Sequence, residues 1–543
     1  MGRQHKFCSV FHKMVVYTFS VFMCVIVVLL LFCSKSVDYS YKRLFLTGNM
    51  QLLCCGIFVG VGLALGRKTC GRIYKVFEKN SQKAISWLTM LLILGQIYVC
   101  YNAYFYTGWD VTVLIQNAFS VAEGEPLMST LYFSSYPNNV LLLAVFSIIR
   151  KVDLCFGILD VREGIMGILC VQCFLSGLTG YLLFQIVQKF AGCWGAWCGW
   201  FCYLVLVGTS GWLMIPYSDS MGLFLPTTLL YLYVKLQNGK YVRLKWVVVG
   251  MLSCLGYHIK PQIFITFIAI VIVEICSMKP QAVEEGVIEE GRNKEKSPKK
   301  TLQKSSCTEN GRLCRWGLLY ALAGIVLASI LYSCLVRNIT RQLDEEKAFG
   351  ISHFVMMGLN TVNNGGYLES DVEFSWSFAT KAERTEANVQ VIGQRLKEMG
   401  FGGVGVHAVR KLLTDYGDGT FAWKMEGTFF SHVYEPKNNF ISLVLRNMIW
   451  GDGKANALNE TIRQGVWLSV LAASLGMIGY RKKADPVLAL VLLAVIGLTL
   501  FELLFEARAR YLYIYVPFYI ITGVLGGEEI VKVLQKRAGK NIS

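Results

Sequence analysis

The chain alternates between long apolar runs and short charged segments. A helix of roughly 20 apolar residues crosses a hydrocarbon layer about 30 Å thick. Because these runs are continuous rather than alternating in polarity, they indicate transmembrane helices and exclude a transmembrane β-barrel. The runs occupy 14–33, 44–66, 85–106, 138–149, 163–186, 192–213, 221–236, 246–257, 262–277, 316–336, 463–480, 485–505 and 511–526.

Composition strengthens this interpretation. Hydrophobic residues make up 54% of the 543 residues and charged residues only 16%, against about 25% charged in soluble domains. The formal net charge is +17. In a polytopic membrane protein such an excess flanks the spans on the cytoplasmic side, so it predicts a lipid bilayer as partner and no nucleic acid.

The basic segments predict the topology. They lie at the N-terminus, at 67–84, 235–245, 278–315 and 481–483, and at the C-terminus, and we expect all of them in the cytoplasm. The segments 107–137, 214–220, 337–462 and 506–510 are then external. Counting crossings leaves the short 138–149 run as a helix that does not cross. The prediction is twelve crossings with both termini cytoplasmic.

Four regions follow from this topology. They are an N-terminal transmembrane hairpin (1–84), a transmembrane core (85–336) that includes the external loop 107–137, an external soluble domain of mixed structure (337–462), and C-terminal transmembrane helices (463–543). The charged stretch 281–312 predicts a disordered cytoplasmic loop. Within the external domain, a helix is predicted over 381–399, beginning near Thr380 and stopped by Gly400.

Polar residues cluster near the predicted outer ends of the spans. Each has a simple structural interpretation. Asp110 suits a helix end or the N-cap of a helix at 111–121, and Asp219 suits the cap of a helix near Ser220. Glu506 and Arg510 are spaced for an i,i+4 pair. Lys260 could snorkel to the interface. The motifs that hold these residues are "TGWD" with Asp110, "YPNN" with Tyr136 and Asn138, "IPYSDSMG" with Asp219, "GYHIKPQ" with His258 and Lys260, and "FEARARYLY" with Glu506, Arg508 and Arg510.

Together these residues suit one reaction better than separate structural roles. Arg and Lys can hold a lipid phosphate, with Arg offering two parallel donors. A carboxylate can take the proton of an incoming hydroxyl as a general base. This combination predicts glycosyl transfer from a polyprenyl-phosphate sugar.

The motifs also resemble a known group of enzymes. "TGWD" and "YPNN" resemble bacterial relatives of the protein O-mannosyltransferase and dolichyl-phosphate-mannose transferase group in the GT-C superfamily. The blocks "HFVMMGLNTVNNGGYLESDVEFS", "DYGDGTFAWKMEGTFF" and "FEARARYLYIYVPFYI" are similar to cell-envelope GT-C proteins of Firmicutes. The resemblance covers roughly residues 85–530.

The resemblance implies an all-α polytopic membrane protein with a GT-C fold and about 11–13 transmembrane helices. It implies an undecaprenyl-phosphate-linked sugar donor, an inverting displacement, and an envelope polysaccharide, glycolipid or protein as acceptor at the outer face of the plasma membrane. Asp110 would be the base, Asp219 would orient acceptor or donor, and Lys260, Arg508 and Arg510 would bind the donor phosphate. The possible substrate contacts are Tyr136, Asn138, His258, His353, Asn360, Asp371 and Glu506.

No cofactor is expected, although some GT-C relatives use a divalent metal ion. Asp110, Asp219 and Asp371 are the residues that could hold one.

Two other functions remain open at this stage. An envelope polysaccharide polymerase or ligase would also need external arginines, but it would use a diphosphate-linked oligosaccharide. A lipid-sugar flippase or transporter would need charged residues along a path between the two faces, whereas the polar motifs here gather on one face.

Overall fold

A computed structural model describes residues 3–33, 48–69, 71–105, 107–236, 241–277, 306–427 and 437–540. Throughout these ranges the chain forms helices and turns, and none of the described residues is in a β-strand. The predicted all-α fold class is therefore confirmed.

The helices follow in chain order. The first ten are α1 (Arg3–Phe32), α2 (Asn49–Thr69), α3 (Gly71–Ala103), α4 (Asp110–Glu123), α5 (Thr130–Ser135), α6 (Val140–Cys155), α7 (Val161–Tyr203), α8 (Ser218–Gly222), α9 (Phe224–Leu236) and α10 (Val242–Ile259). The others are α11 (Phe264–Ser277), α12 (Ser306–Thr340), α13 (Ile351–Gly358), α14 (Glu369–Trp376), α15 (Lys381–Tyr416), α16 (Phe440–Ile449), α17 (Asn456–Ser474), α18 (Pro486–Leu504) and α19 (Val516–Lys540).

Among the described residues, eight helical segments are long and apolar enough to cross a membrane. Three shorter helices are also apolar. The eight are Val10–Phe32, Glu78–Ala103, Val161–Gly208, Val242–Ile259, Trp316–Thr340, Asn456–Lys482, Pro486–Leu504 and Ala509–Arg537, and the shorter ones are Asn49–Gly60, Pro261–Cys276 and Phe440–Ile449. Length and composition do not fix the number of crossings, so the count of twelve stays a prediction.

Helix α7 is a hairpin with two arms rather than one long helix. At the turn, Gly192 has φ 68° and ψ −173°, a backbone conformation that a residue with a Cβ rarely adopts. The arms then pack on each other, with the rings of Phe184 and Trp197 4.8 Å apart. Near the open end, the Tyr203 hydroxyl donates to the carbonyl of Ser176 at 2.6 Å. The apolar runs 163–186 and 192–213 thus form separate helices, as predicted.

Contacts between distant segments define one end of the bundle, which we call the Asp110 end. There, the Tyr217 hydroxyl donates to Asp110 Oδ2 at 3.0 Å. The Lys260 ammonium forms an ion pair with Asp219 at the same end. The loops after α3, α7 and α10 therefore meet in one place.

The opposite end, the Lys483 end, gathers predicted cytoplasmic residues. Lys483 Nζ lies 3.2 Å from Glu529 Oε1, and Lys532 Nζ lies 2.9 Å from the same oxygen. The His12 ring nitrogen Nε2 is 3.0 Å from the Tyr480 carbonyl oxygen. The polar motifs and these basic segments are thus at opposite ends, as the topology requires, while the assignment of each end to a side of the membrane stays a prediction.

Helix α6 contains residues 140–149 of the short 138–149 run. The guanidinium of its Arg150 lies 4.6 Å from the ring centre of Phe119 in α4. It also donates to the carbonyl of Leu159, just before α7, at 2.8 Å. Helix α6 therefore starts after Asn139 and finishes beside α4 at the same end, which agrees with a helix that does not cross.

The segment 337–462, predicted to be of mixed structure, contains α13 to α16 in its described part. Helix α15 begins with a capping box in which Thr380 and Glu383 bond each other's backbone. The predicted helix over 381–399 does stop at Gly400, but the sequence did not predict the helix that follows. Gly400 takes φ 60° and ψ 178° and breaks the helix, but a second arm continues to Tyr416.

Two predictions fall partly or wholly outside the described residues. In the predicted disordered loop 281–312, residues 281–305 lie outside them, and 306–312 begin α12. Residues 428–436 of the segment predicted to be external also lie outside them.

Candidate active site

Asp110 is the first residue of α4 and is partly buried. The preceding Trp109 occupies the N-cap position in an extended conformation. The partial positive charge of a helix N-terminus stabilises a carboxylate in its first turn. Tyr217 adds a hydroxyl donor to Oδ2 at 3.0 Å. Burial, followed by the charge of Asp110, raises the pKa of Tyr217, so its hydroxyl remains a donor at neutral pH.

Asp219 and Lys260 form a buried ion pair. Asp219 lies in the short helix α8 rather than capping a helix from outside. Lys260 sits where α10 ends and Pro261 begins the next turn. Their side chains are 3% and 10% exposed, and the Lys260 ammonium lies 4.1 Å from the ring centre of Tyr511. Lys260 therefore does not snorkel to the interface, because an internal carboxylate and an aromatic face stabilise it.

Arg510 links this ion pair to the surroundings of Asp110. Its Nε lies 3.7 Å from Asp219 Oδ2. Its guanidinium carbon lies 4.9 Å from the ring centre of Trp109 and 5.6 Å from that of Tyr217. The two rings next to Asp110 therefore also face the arginine.

Arg508 and Arg510 share a carboxylate that the sequence did not single out. Arg508 Nη1 lies 3.1 Å from Glu426 Oε2, and Arg510 Nη1 lies 3.6 Å from the same oxygen. Arg508 Nε also lies 2.8 Å from Glu506 Oε1. The i,i+4 pair between Glu506 and Arg510 does not form, because the backbone is extended at Arg508 (φ −155°, ψ 135°).

Lys411 of α15 anchors the segment that carries these arginines. Its ammonium donates to the carbonyls of Gly358 and Leu503, both at 3.0 Å, and to that of Phe505. The last carbonyls of a helix lack hydrogen-bond partners within the helix. Here the buried ammonium of Lys411 is the donor to those carbonyls. The extended backbone that follows α18 is thereby fixed by the 337–462 segment.

Tyr136 and the neighbouring asparagines complete the cluster on the side of α5 and α6. Burial raises the pKa of Tyr136, and the charge of Asp110 raises it further. Asn139 donates to the hydroxyls of Tyr132 at 2.7 Å and Tyr217 at 3.5 Å. Asn138, partly exposed, donates to Asn139 at 3.4 Å. Asn139 rather than Asn138 thus contacts the tyrosine that holds Asp110.

His258 and His353 have packing roles. The His258 ring stacks on Tyr332 of α12 with centroids 3.7 Å apart. His353 Nδ1 lies 2.7 Å from Ser375 Oγ, and its ring stacks on Phe349 at 4.0 Å. Burial lowers the pKa of His353 to about 4. Neither ring joins the cluster around Arg510.

Asn360 and Asp371 also serve the 337–462 segment itself. Asn360 donates to the carbonyls of Met357 at 2.7 Å and Gly366 at 2.8 Å, which closes a turn. Asp371 accepts two bonds from Arg395, at 2.6 and 2.9 Å.

The suggested metal set of Asp110, Asp219 and Asp371 is therefore wrong, because Arg395 engages Asp371 and Lys260 engages Asp219. Within the described ranges, no group of three or more His, Cys, Asp or Glu side chains is placed to hold a metal ion.

The structure thus brings seven of the predicted residues together and adds several others. Those brought together are Asp110, Tyr136, Asp219, Lys260, Glu506, Arg508 and Arg510. Those missed are Trp109, Asn139, Tyr217, Lys411, Glu426 and Tyr511. Five of them stood in motifs already noted, and only Lys411 did not. The five are Trp109 in "TGWD", Asn139 in "YPNN", Tyr217 in "IPYSDSMG", Glu426 in "DYGDGTFAWKMEGTFF" and Tyr511 in "FEARARYLY".

A family model described as "Conserved hypothetical integral membrane protein" matches residues 7–531. The chain belongs to this family. It is therefore an integral membrane protein, and the lipid bilayer is its partner. Neither the curated proteins nor the solved structures contain a match.

Proposed function

We propose that this protein is an inverting glycosyltransferase that moves a sugar from undecaprenyl phosphate to a hydroxyl of an envelope acceptor. One observation carries the proposal. Trp109, which directly precedes Asp110, packs 4.9 Å from the guanidinium of Arg510. A candidate base and a candidate phosphate ligand therefore share one aromatic wall, although 400 residues separate them in sequence.

The donor phosphate is assigned to Arg508 and Arg510. Guanidinium groups offer paired donors that match phosphate oxygens, and both already face an anion, Glu426. Lys260 takes an indirect role in this proposal. By neutralising Asp219, it leaves more of the positive charge of Arg510 available to the donor.

The reaction needs one base and one stabilised leaving group. Asp110 accepts the proton of the acceptor hydroxyl, and the oxygen forms a bond to the anomeric carbon. The bond from that carbon to the phosphate oxygen breaks, and its electron pair leaves with undecaprenyl phosphate. Attack from the face opposite the phosphate inverts the anomeric centre, while the arginines stabilise the departing charge.

The setting of the enzyme is part of the proposal. The Asp110 end faces outward at the plasma membrane, and both termini lie in the cytoplasm. The basic residues gathered at the Lys483 end support this orientation.

The decisive test uses the full chain in lipid nanodiscs with undecaprenyl-phosphate-linked monosaccharides and an envelope extract as acceptor. Asp110→Asn is expected to lower transfer by about 10²–10⁴-fold, the usual contribution of a general base. The matched control is Asp160→Asn, because Asp160 caps α7 and Asn caps equally well. Full activity of Asp110→Asn would remove the base assignment.

A panel of donors separates this proposal from the alternatives. Transfer from a monophosphate-linked monosaccharide supports it. Transfer only from a diphosphate-linked oligosaccharide would indicate a polymerase or ligase instead. Movement of the lipid-linked sugar across the bilayer without bond cleavage would indicate a flippase.

A further inference from the structure

We infer that Glu426 is an internal anion that a phosphate ligand must displace from between Arg508 and Arg510, so that it lowers the affinity of the site for that ligand. The inference rests on the proposed function and adds how the site binds its ligand. Glu426 was absent from the residues that the sequence singled out, and no other part of the mechanism uses it.

The geometry at Glu426 is that of a shared anion position. A single oxygen, Oε2, lies 3.1 Å from Arg508 Nη1 and 3.6 Å from Arg510 Nη1. When a carboxylate bonds one arginine through both of its oxygens, the two groups satisfy each other and leave little for a ligand to bind. Here one oxygen faces two guanidinium groups, each of which keeps further N–H donors. A phosphate group has more oxygens to place against the same two cations, so it can exceed what the carboxylate offers.

The turn that delivers Glu426 is firmly anchored at its start. Asp418 accepts bonds from the amides of Thr420 at 2.7 Å and Ala422 at 2.8 Å. Trp212 Nε1 donates to the carbonyl of Phe421 at 3.0 Å. The start of the segment that carries Glu426 is thus fixed, which keeps its carboxylate near the arginines.

The same turn is strained. Phe421 and Ala422 have φ of 56° and 61°, a left-handed region that side chains with a Cβ rarely occupy. Non-glycine residues held in this region concentrate at ligand sites and switch segments. Here the two strained residues stand five and four positions before Glu426, in the turn that leads to it.

The ligand class follows from this competition. A neutral sugar or alcohol cannot displace a carboxylate from two arginines, because it offers no charge in exchange. A phosphate monoester or diester can do so. The two arginines therefore favour ligands that carry a phosphate group, and Glu426 weakens the binding of such a ligand by competing for the same cations.

The test measures binding of undecaprenyl phosphate, with undecaprenol as the neutral probe, by native mass spectrometry of the detergent-solubilised full chain. Glu426→Gln removes the charge and keeps the shape, and it is expected to tighten undecaprenyl phosphate binding about tenfold. Undecaprenol binding is expected to remain unchanged. Glu426→Ala should act in the same direction.

The matched control is Glu123→Gln. Glu123 is a half-exposed acid at the same end that pairs with Arg150 at 3.4 Å, so it tests the effect of losing one negative charge nearby. Unchanged phosphate binding in both Glu426 variants, or an equal gain in Glu123→Gln, would overturn the inference. Tighter binding with no sugar transfer by any variant would support the inference and overturn the proposed enzyme. Sugar transfer by the wild type together with unaltered phosphate binding in the Glu426 variants would support the proposed enzyme and overturn the inference.

Discussion

Two ionic groups at the Asp110 end differ in how completely they are paired. Asp371 and Arg395 join neighbouring helices α14 and α15 through two parallel bonds of 2.6 and 2.9 Å. Glu426 instead serves two arginines with one oxygen, at 3.1 and 3.6 Å. A saturated local pair holds helices together. A shared pair assembled from distant segments leaves donors available, which is what a binding site needs.

The largest expected effect is a loss of transfer activity when an arginine of the shared group, but not of the saturated pair, is removed. Arg510→Ala should lower kcat/KM for the lipid-linked donor by about 10³-fold, because a desolvated cation that stabilises a leaving phosphate is worth several kcal/mol. Arg510→Lys should recover only part, since it keeps the charge and loses the paired donors. The measurement is single-turnover transfer in nanodiscs. Equal losses in Arg510→Ala and Arg395→Ala would erase the distinction between the groups.

The next effect concerns pH and the interior of the 337–462 segment. Burial lowers the pKa of His353 to about 4, below its ordinary value of about 6.5. The unfolded chain then binds more protons than the folded one as pH falls from 6.5 to 4. Stability is therefore complete above pH 6.5 and falls through that window by up to about 3 kcal/mol.

The His353 contribution is isolated by comparing thermal unfolding of the wild type and His353→Gln from pH 7 to 4. The variant should lose less stability across the window, because Gln does not titrate and can still bond Ser375. Parallel curves for the two proteins would show that His353 is not the group responsible.

A smaller effect is expected at the saturated pair. Arg395→Ala leaves the carboxylate of Asp371 with no charge partner in a site where that side chain is only 6% exposed. The free energy of unfolding should fall by about 2 kcal/mol, less than for a fully buried pair because Arg395 is partly exposed. Chemical denaturation measures it, and the double variant Arg395→Ala with Asp371→Ala should recover part of the loss. If Arg395→Ala left stability unchanged but abolished transfer, Asp371 would have to be assigned to the active site.

The smallest effect tests the support of Asp110. Tyr217→Phe removes the hydroxyl that bonds Asp110 at 3.0 Å and should lower kcat about tenfold, with KM for the donor little changed. Tyr416→Phe is the control, since Tyr416 is also buried but bonds Thr499 and Tyr519 instead. A fall of the same size in both variants would indicate general loosening of the fold.

Much of the fold could be predicted because a helix that crosses a bilayer needs a continuous run of apolar residues, and such runs are visible in the sequence. The hairpin of α7 followed from run length, and the placement of basic residues predicts that α6 does not cross the membrane. The second arm of α15 was not predicted. Gly400 is compatible with either a helix end or a break, and only tertiary contacts decide whether a helix resumes afterwards, such as the bond between His407 and the Gly358 carbonyl at 2.9 Å.

The site could be predicted only where a charged residue stood against an apolar background. Asp110, Lys260 and Arg510 met that condition. Glu426 did not, because it lies in a mixed segment with no clear periodicity. His353 and Asp371 were included because they are polar residues in a distinctive block. Their partners Ser375 and Arg395 lie 22 and 24 residues away in sequence, so spacing alone could not predict them.

The contact between α10 and α12 has a mechanical consequence for the site. Gly250 and Gly324 leave no room for a side chain, and the two backbones touch at Ala321 and Val247. Helices packed this closely resist sliding or separating, so α10 and α12 behave as one rigid unit, and Lys260 lies directly after the end of α10. The Lys260 side of the cluster is therefore rigid, and we expect an entering lipid headgroup to displace the Glu426 side chain from the arginines rather than to move Lys260.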